Sequence, residues 1–333
     1  MINAYKEKEK VLICEFCGCE ESPESIEVDH LEKGYWCEVC DGYNYLHEKQ
    51  QKHRFTIILE DKASRNVIMP NPDISLHKRL SPLRYPGGKS KLINYIYSKL
   101  QKEATKTLVG AYAGGASAEL ALLDAGIIDD LVLNDVDYGI YSLFSIIKNS
   151  PQRLIEQIKS TLPNHEEFFL SRKTIDDNFA DCSMFDAAWA TLIVNRLSYS
   201  GISMANPLGG RQGDQKTLLS RWNPNELIKR INRIYKMRDR ITVLNMDACQ
   251  VIEEYYWRPQ TTIFLDPPYI NKGKQLYRCS YEQEDHEKLN ILLESLYHGF
   301  PGADIILCYD NDPFIDEAYT LPIIEKVSRI YSI

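Results

Sequence analysis

Residues 263–269 read Ile-Phe-Leu-Asp-Pro-Pro-Tyr, in which an apolar run meets an acidic turn that two prolines stiffen. The apolar run predicts a buried strand over 261–265. In doubly wound α/β sheets, ligands bind at the carboxyl ends of the strands, where this turn would lie. The stretch therefore predicts a functional site at a sheet edge. Its candidate catalytic residues are Asp266, Pro267, Pro268 and Tyr269.

This turn suits chemistry on an exocyclic amino group. The Asp266 carboxylate and the Pro267 carbonyl can both accept hydrogen bonds from one NH₂ group, while Tyr269 stacks on the ring that bears it. An arylamine nitrogen is a poor nucleophile because its lone pair is delocalised into the ring, and two acceptors favour a pyramidal, attacking geometry. The alternative interpretation is a rigid turn without a catalytic role.

Apolar runs and helix-like stretches alternate on both sides of the turn. The expected strands are 107–112, 130–134, 241–245, 261–265 and 303–308. The expected helices begin near 116 and 138 and cover 248–257 and 283–298. Such alternation indicates an α/β fold in which helices cover both faces of a parallel sheet.

Between residues 150 and 240 the alternation stops. The sequence there predicts amphipathic helices over 164–180, 184–198 and 223–238 around a Gly-rich loop at 199–222. From Arg196 to Arg240 there are ten Lys or Arg and three Asp or Glu, a local net charge of +7 in a chain whose net charge is −8. We therefore predict an inserted helical subdomain whose basic surface can meet nucleic acid.

The N-terminal region contains two Cys-x-x-Cys pairs separated by nineteen residues. Two such pairs can supply four thiolates for a tetrahedral, structural Zn²⁺ site of the zinc-ribbon type. Free thiols or disulfides are the alternative. The predicted metal ligands are Cys14, Cys17, Cys37 and Cys40.

Three further motifs accompany the turn at 263–269. Residues 84–89 read Arg-Tyr-Pro-Gly-Gly-Lys, residues 112–117 read Tyr-Ala-Gly-Gly-Ala-Ser, and Asn134-Asp135 ends the next expected strand. A Gly-rich turn between a strand and a helix lets a cofactor approach the sheet, and an acid about 20 residues further on can bind ribose hydroxyls. From about residue 81 onward, these motifs in this order resemble the Dam-like family of DNA adenine-N6 methyltransferases.

The resemblance implies a Rossmann-like sheet that binds S-adenosylmethionine. The sequence departs from the family in two ways. Gly110 and Ala111 stand in place of an acidic residue and a proline, and Ala116 replaces the last glycine of the turn. A charge that would face the cofactor is therefore missing. For Asp135, a helix N-cap is the rival role. The implied cofactor-binding residues are Tyr85, Lys89, Tyr112, Gly114, Asp135, Asp247 and Asp266.

Residues 195–201, Asn-Arg-Leu-Ser-Tyr-Ser-Gly, resemble the family's target-recognition segment. The resemblance implies that Arg196 contacts phosphate and that Tyr199 enters the base stack while the target base is flipped out. Met204 stands where relatives that read GATC-type sites carry an arginine, so the resemblance does not imply a GATC-type target sequence for this chain. The candidate DNA-binding residues are Arg196, Tyr199, Ser200, Arg211 and Arg221.

We therefore expect a zinc-ribbon-like module over 1–60, a linker over 61–80 and a methyltransferase domain over 81–333, with the DNA-recognition subdomain inserted at 150–240. The expected reaction moves a methyl group from S-adenosylmethionine to N6 of a flipped adenine in double-stranded DNA. Cytosine N4, an RNA amine, or a catalytically weakened DNA-binding regulator are the alternatives.

The chain has no stretch near the roughly 18 consecutive apolar residues of a membrane helix, and its first residues lack the apolar core of a signal peptide. We expect a cytoplasmic protein that makes no membrane contact. A cognate restriction endonuclease is a possible partner.

Overall fold

We describe the protein from a computed structural model. The structure describes residues 53–61, 74–77, 79–85, 87–101, 104–270, 273, 278–299 and 301–328, together with short strands and a turn before residue 46. The chain divides into two units, residues 1–52 and residues 53–333. Most of the expected linker at 61–80 lies outside the described residues.

In the first unit, the described segments are short antiparallel strands. Two of them pair as a ribbon, Leu12–Ile13 (β1) with Glu20–Glu21 (β2). Three others form a sheet, Val28–Asp29 (β3), Gly34–Trp36 (β4) and Tyr43–Tyr45 (β5). The predicted zinc ligands Cys14, Cys17, Cys37 and Cys40 lie outside the described residues.

The second unit is built on a seven-stranded sheet in which every neighbouring pair of strands is parallel. Its strands are Phe55–Asp61 (β6), Thr107–Gly110 (β7), Asp130–Asn134 (β8), Ile241–Leu244 (β9), Thr261–Leu265 (β10), Asp304–Asp310 (β11) and Ile323–Ser328 (β12). The spatial order is β12-β6-β11-β10-β7-β8-β9. The predicted parallel α/β sheet is confirmed.

Both faces of the central strands of this sheet are buried, which explains why these strands are nearly continuous apolar runs. Successive side chains of a strand point to opposite faces. In β10, Phe264 therefore packs into the core on one face, while Ile263 and Leu265 pack into the core on the other. Each of these side chains is at most 2% exposed.

The order in which the chain adds strands to the sheet reverses at the centre of the sheet. From β7 the chain moves outward through β8 to β9, and it then returns to the other side of β7 as β10. The carboxyl ends of β7 and β10 therefore lie side by side at a topological switch point, the usual position of a ligand crevice in open α/β sheets.

Eleven α-helices belong to the described part of this unit. They are Ile93–Lys99 (α1), Ser117–Asp124 (α2), Tyr138–Asn149 (α3), Pro151–Ser160 (α4), His165–Asp176 (α5), Met184–Leu197 (α6), Gln215–Leu218 (α7), Pro224–Lys236 (α8), Ala248–Tyr256 (α9), Gln283–His298 (α10) and Pro313–Ala318 (α11). None of them is long and apolar enough to cross a membrane.

Polar caps explain where the helices of the insertion begin. The side chains of Asn164, Ser183 and Asn223 each accept a hydrogen bond from a backbone N–H group of the first helical turn, in α5, α6 and α8 respectively. Pro224 occupies the first position of α8, where its missing N–H group costs nothing.

The insertion shares its apolar core with one face of the sheet. Phe168, Ile193 and Ile231 of the insertion belong to the same buried cluster as Leu108 and Phe264 of the sheet. Helix α3, which follows β8, packs against α6. The inserted helices are therefore an extension of the sheet domain.

Strand β6 lies in a different unit from the one that the sequence predicts. The sequence predicts that residues 55–59 belong to the N-terminal module, but the structure pairs β6 with both β11 and β12 inside the large sheet. Ile57 and Ile58 point to opposite faces and both are fully buried. A strand that is apolar on both sides fits the interior of a covered sheet.

Candidate active site

A cavity lies at the carboxyl ends of β7, β8 and β10, at the switch point of the sheet. Residues that are far apart in the sequence line it. Among them are all seven residues expected to bind the cofactor, namely Tyr85, Lys89, Tyr112, Gly114, Asp135, Asp247 and Asp266.

Asn134 at the end of β8 holds the neighbouring strand ends in place. Its buried amide nitrogen donates to the carbonyl oxygens of Ala111 (3.0 Å) and Met246 (3.1 Å). Its amide oxygen accepts from the backbone N–H group of Met246 at 2.9 Å. The segments that follow β7 and β9 are thus joined to the end of β8 beside the cavity.

The Gly-rich turn after β7 admits the ring of Tyr85. A Cβ atom on Gly114 would lie 2.7 Å from Cε1 of Tyr85, and one on Gly115 would lie 2.8 Å from its Cβ. Ala116 has a left-handed backbone, with φ at 49°. This conformation favours glycine, which is the residue that the resemblance leads one to expect there.

Asp135 is tied to the Gly-rich turn and does not cap a helix. Its carboxylate accepts hydrogen bonds from the backbone N–H groups of Gly114 at 2.7 Å and Asp137 at 2.9 Å. The cap of α3 is Asp137, which accepts from Gly139 at 2.8 Å. Burial, reinforced by the charge of Asp137, raises the pKa of Asp135 to about 7, although the two N–H groups oppose this shift.

Asp247 and Tyr112 lie on the wall of the cavity. Asp247 caps α9 by accepting from the backbone N–H group of Cys249 at 2.9 Å, and it remains exposed. The hydroxyl groups of Tyr112 and Tyr281 are hydrogen-bonded at 2.7 Å. Tyr281, which follows the predicted catalytic turn at 266–269, therefore closes one side of the cavity.

The ammonium group of Lys89 is the centre of a buried polar cluster. It forms ion pairs with Asp266 and, at 3.1 Å, with Glu60. It also donates to the Tyr269 hydroxyl and to the Gly87 carbonyl, both at 3.1 Å. The Tyr269 hydroxyl in turn donates to Glu60 at 2.6 Å. Lys89 thus holds the catalytic turn from behind.

The catalytic turn itself presents some of its residues to the cavity and buries others. Asp266 and Pro268 line the cavity, whereas Pro267 and Tyr269 are buried. Tyr269 is only 4% exposed, and its hydroxyl is engaged by Glu60 and Lys89. Its ring therefore does not offer the free face that the predicted stacking on a base requires.

The structure adds three residues to the site that the sequence motifs do not assign to it. Glu60 directly follows the apolar run of β6, as Asp266 follows β10, and this position was a usable signal. Glu119 lines the cavity from α2. Arg278 also lines it, and pairs with Asp137 at 2.9 Å and with the Asn178 side chain at 2.7 Å.

The recognition segment lies beside the cofactor cavity. Asn195 accepts from the backbone N–H group of Arg84 at 2.7 Å and donates to the carbonyls of Arg84 (2.9 Å) and Gly201 (3.0 Å). Tyr199 is 54% exposed, and Ser200 has a left-handed φ of 55°. The loop that carries the predicted wedge is therefore fixed to the segment that leads into Lys89.

The candidate DNA-binding arginines differ in exposure. Arg211 and Arg221 are exposed, as a phosphate contact requires. Arg196 is buried, and its guanidinium group donates to the backbone carbonyl of Arg221, with Nε at 3.0 Å. Burial, together with nearby Arg230, lowers the pKa of Arg196 to about 10. Arg196 thus supports the loop that carries Arg221 and is not placed at the surface.

Comparison with known proteins agrees with this geometry. A sequence model of the D12 class N6 adenine-specific DNA methyltransferases matches residues 85–333, three quarters of the chain. The chain belongs to this family. A curated relative, the type II methyltransferase M.MjaIII of Methanocaldococcus jannaschii, is 21% identical over 250 residues, which cover 70% of this chain and 84% of the relative. The predicted adenine-N6 DNA methyltransferase is confirmed.

Membership in a methyltransferase family implies S-adenosylmethionine as cofactor and DNA as substrate. The cavity of this methyltransferase fits a cofactor that carries an ammonium and a sulfonium charge, because acidic side chains outnumber basic ones in its lining. The acidic residues are Glu119, Asp135, Asp137, Asp247, Asp266 and Asp285, and the basic residues are Lys89 and Arg278.

Glu60 lies outside the region that the family model matches, yet it contacts two residues of the site. We expect Glu60→Gln to lower the rate of methyl transfer at least about tenfold, because Lys89 loses a carboxylate partner and Tyr269 loses a charged acceptor. Steady-state kinetics and thermal unfolding, measured together, test this expectation.

Glu325→Gln is the matched control, because Glu325 on β12 also pairs with a lysine, Lys99 at 2.6 Å, and accepts a hydrogen bond from a tyrosine, Tyr95. Glu325 does not line the cavity. We expect normal turnover from this variant. Equal rates for the two variants would contradict a role for Glu60 in holding the catalytic turn.

Proposed function

We propose that this methyltransferase modifies N6 of an adenine that is flipped out of double-stranded DNA, at a specific target sequence. The observation that carries the proposal is the position of Asp266. Its carboxylate lies at the carboxyl end of β10, lines the cavity and is held from behind by Lys89. A carboxylate in this place can orient an amine against a donor bound in the same cavity.

When bound, S-adenosylmethionine supplies an activated methyl group on its sulfonium sulfur. The residues of this chain then have to position the acceptor. In this proposal, Asp266 and the Pro267 carbonyl accept hydrogen bonds from the adenine amino group and direct its nitrogen at the methyl carbon. Asp135 accepts hydrogen bonds from the ribose hydroxyls. The cofactor site is completed by Tyr85, Lys89, Tyr112, Gly114 and Asp247.

The base reaches Asp266 from the side of the helical insertion. A second, smaller cavity adjoins the first, because Tyr85, Asp137 and Arg278 line both. Asn195, Gly201 and Ser203 of the recognition segment also line it. A base extruded beside the exposed Tyr199 would enter through this second cavity. Stacking on Tyr269 would require that ring to become uncovered first.

The decisive experiment incubates the protein with duplex DNA and radiolabelled S-adenosylmethionine, followed by nucleoside analysis. We expect label in N6-methyladenosine with the wild type and none with Asp266→Ala, because the variant loses the acceptor that faces the amine. Asp316→Ala, an exposed carboxylate on α11, serves as the control and should retain activity.

Each other result has a definite meaning for the proposal. Label in N4-methylcytosine would replace adenine by cytosine as the target. Label in RNA alone would reassign the substrate. Binding of DNA without transfer to any nucleic acid would favour a catalytically weakened regulator.

Tyr199 is proposed as the residue that occupies the space left by the flipped base. We expect Tyr199→Ala to lower kcat/KM for duplex DNA about tenfold or more, because stacking of an aromatic ring on a base is worth about 1–3 kcal/mol. Trp257 is 54% exposed on another part of the surface, so Trp257→Ala is a matched control. The assignment fails if the two variants lose activity equally.

We also propose a structural zinc ion bound by Cys14, Cys17, Cys37 and Cys40. The support is the spacing of the two pairs and the clustering of five of the nine cysteines in the first 40 residues. In the part of the chain that the structure describes, no three His, Cys, Asp or Glu side chains form a metal-binding group.

Elemental analysis of protein purified without chelator tests the zinc proposal. We expect about one zinc ion per chain, with strong loss in Cys14→Ser and Cys37→Ser, because a tetrahedral site needs all four thiolates. Cys182→Ser changes a free cysteine of the insertion and should keep the metal. A wild-type content well below one zinc, with the thiols still reduced, would refute the site.

A cognate restriction endonuclease and a cytoplasmic location remain predictions from the sequence. The type II designation of the relative belongs to that protein, and it motivates a search for an endonuclease that cleaves the unmethylated form of the target sequence.

A further inference from the structure

Glu119 is a buried acid for which the proposed reaction has no role so far. It lies in the first turn of α2, lines the cofactor cavity and is 3% exposed. Among the described residues, no Lys, Arg or His nitrogen lies within 4 Å of its carboxylate. Burial, with a smaller contribution from Asp266, raises the pKa of Glu119 to about 8, although the backbone N–H groups of Glu119 and Ala118 and the more distant Lys89 oppose this shift.

A buried carboxylate without a cationic partner is costly, and a positively charged group would offset that cost. The methionine part of S-adenosylmethionine carries such a group, its ammonium ion. Gly88, Lys89 and Glu119 line the same cavity. The lining of this cavity therefore contains an acid that matches a charge of the ligand.

The position of Glu119 is explained by Gly110 at the end of β7. A Cβ atom on Gly110 would lie 3.2 Å from Oε1 of Glu119 and 3.3 Å from its Cγ. The Glu119 side chain thus occupies the space into which a side chain at position 110 would project. Gly110 is the position at which the sequence lacks the expected acidic residue. Glu119 on the neighbouring helix α2 places a carboxylate there instead.

We propose that Glu119 binds the ammonium group of S-adenosylmethionine and supplies the negative charge that Gly110 does not. The inference rests on the proposed cofactor site and extends it to a residue outside the motifs. A charge-assisted hydrogen bond of this kind strengthens binding by about 10- to 100-fold.

The test is a calorimetric titration of two ligands into the wild type and Glu119→Gln. The ligands are S-adenosylhomocysteine and its des-amino analogue, in which hydrogen replaces the ammonium group. In the wild type, we expect the analogue to bind about 10- to 100-fold more weakly. In Glu119→Gln, we expect the two ligands to bind within about threefold of each other. Glu325→Gln, remote from the cavity, should behave as the wild type does.

Two results would overturn the inference. Equal affinity of the wild type for both ligands would show that no carboxylate binds the ammonium group, whatever the variant does. A variant that still distinguishes the two ligands as the wild type does, or that loses affinity for both of them, would assign Glu119 a role other than binding the ammonium group. Failure of the wild type to bind S-adenosylhomocysteine would instead refute the cofactor site itself.

Discussion

The ammonium group of Lys89 joins segments that are far apart in the sequence. It contacts Glu60 at the end of β6 and both Asp266 and Tyr269 after β10, which lie 177 and 180 residues further along the chain than Lys89. A buried cation requires such partners, because a buried charge that is left unpaired costs about 3–5 kcal/mol. Because the carboxyl ends of parallel strands meet at one edge, only the complete sheet brings these groups together. The orientation of Asp266 therefore depends on the assembly of β6 and β10.

The two sides of the site carry opposite charges, which the net charge of the chain does not show. The cavity lining is acidic, which suits a cationic cofactor, and the insertion exposes arginines such as Arg211 and Arg221, which suits a polyanion. Arg278 and Asn195 connect the two regions, since Arg278 pairs with Asp137 and Asn195 binds the backbone at Arg84. Hydrogen bonds and a shared apolar core therefore connect the proposed DNA surface to the cofactor cavity.

Several elements could be predicted because local pattern alone decides them. The strands at 130–134 and 261–265 and the helix at 283–298 were placed to the residue, and all seven expected cofactor residues line one cavity. The boundary at residue 60 was not predictable in this way. The short apolar run at 55–59 does not by itself reveal which sheet it joins, and only pairing with β11 and β12 decides it. For the same reason, the sequence could not show that Arg196 is buried by its contact with Arg221.

The order of the amino acids by itself determined the parallel α/β sheet, the helical insertion, the catalytic turn and the membership in the family, because each follows from apolar periodicity or from short motifs. Only the tertiary structure decided which groups surround the reacting centre. Glu60 and Glu119 belong to no motif, and their places at the site arise from where β6 ends and where α2 begins in space. Contacts of this kind depend on strand order and on the packing of buried charges, which join residues that no local pattern connects.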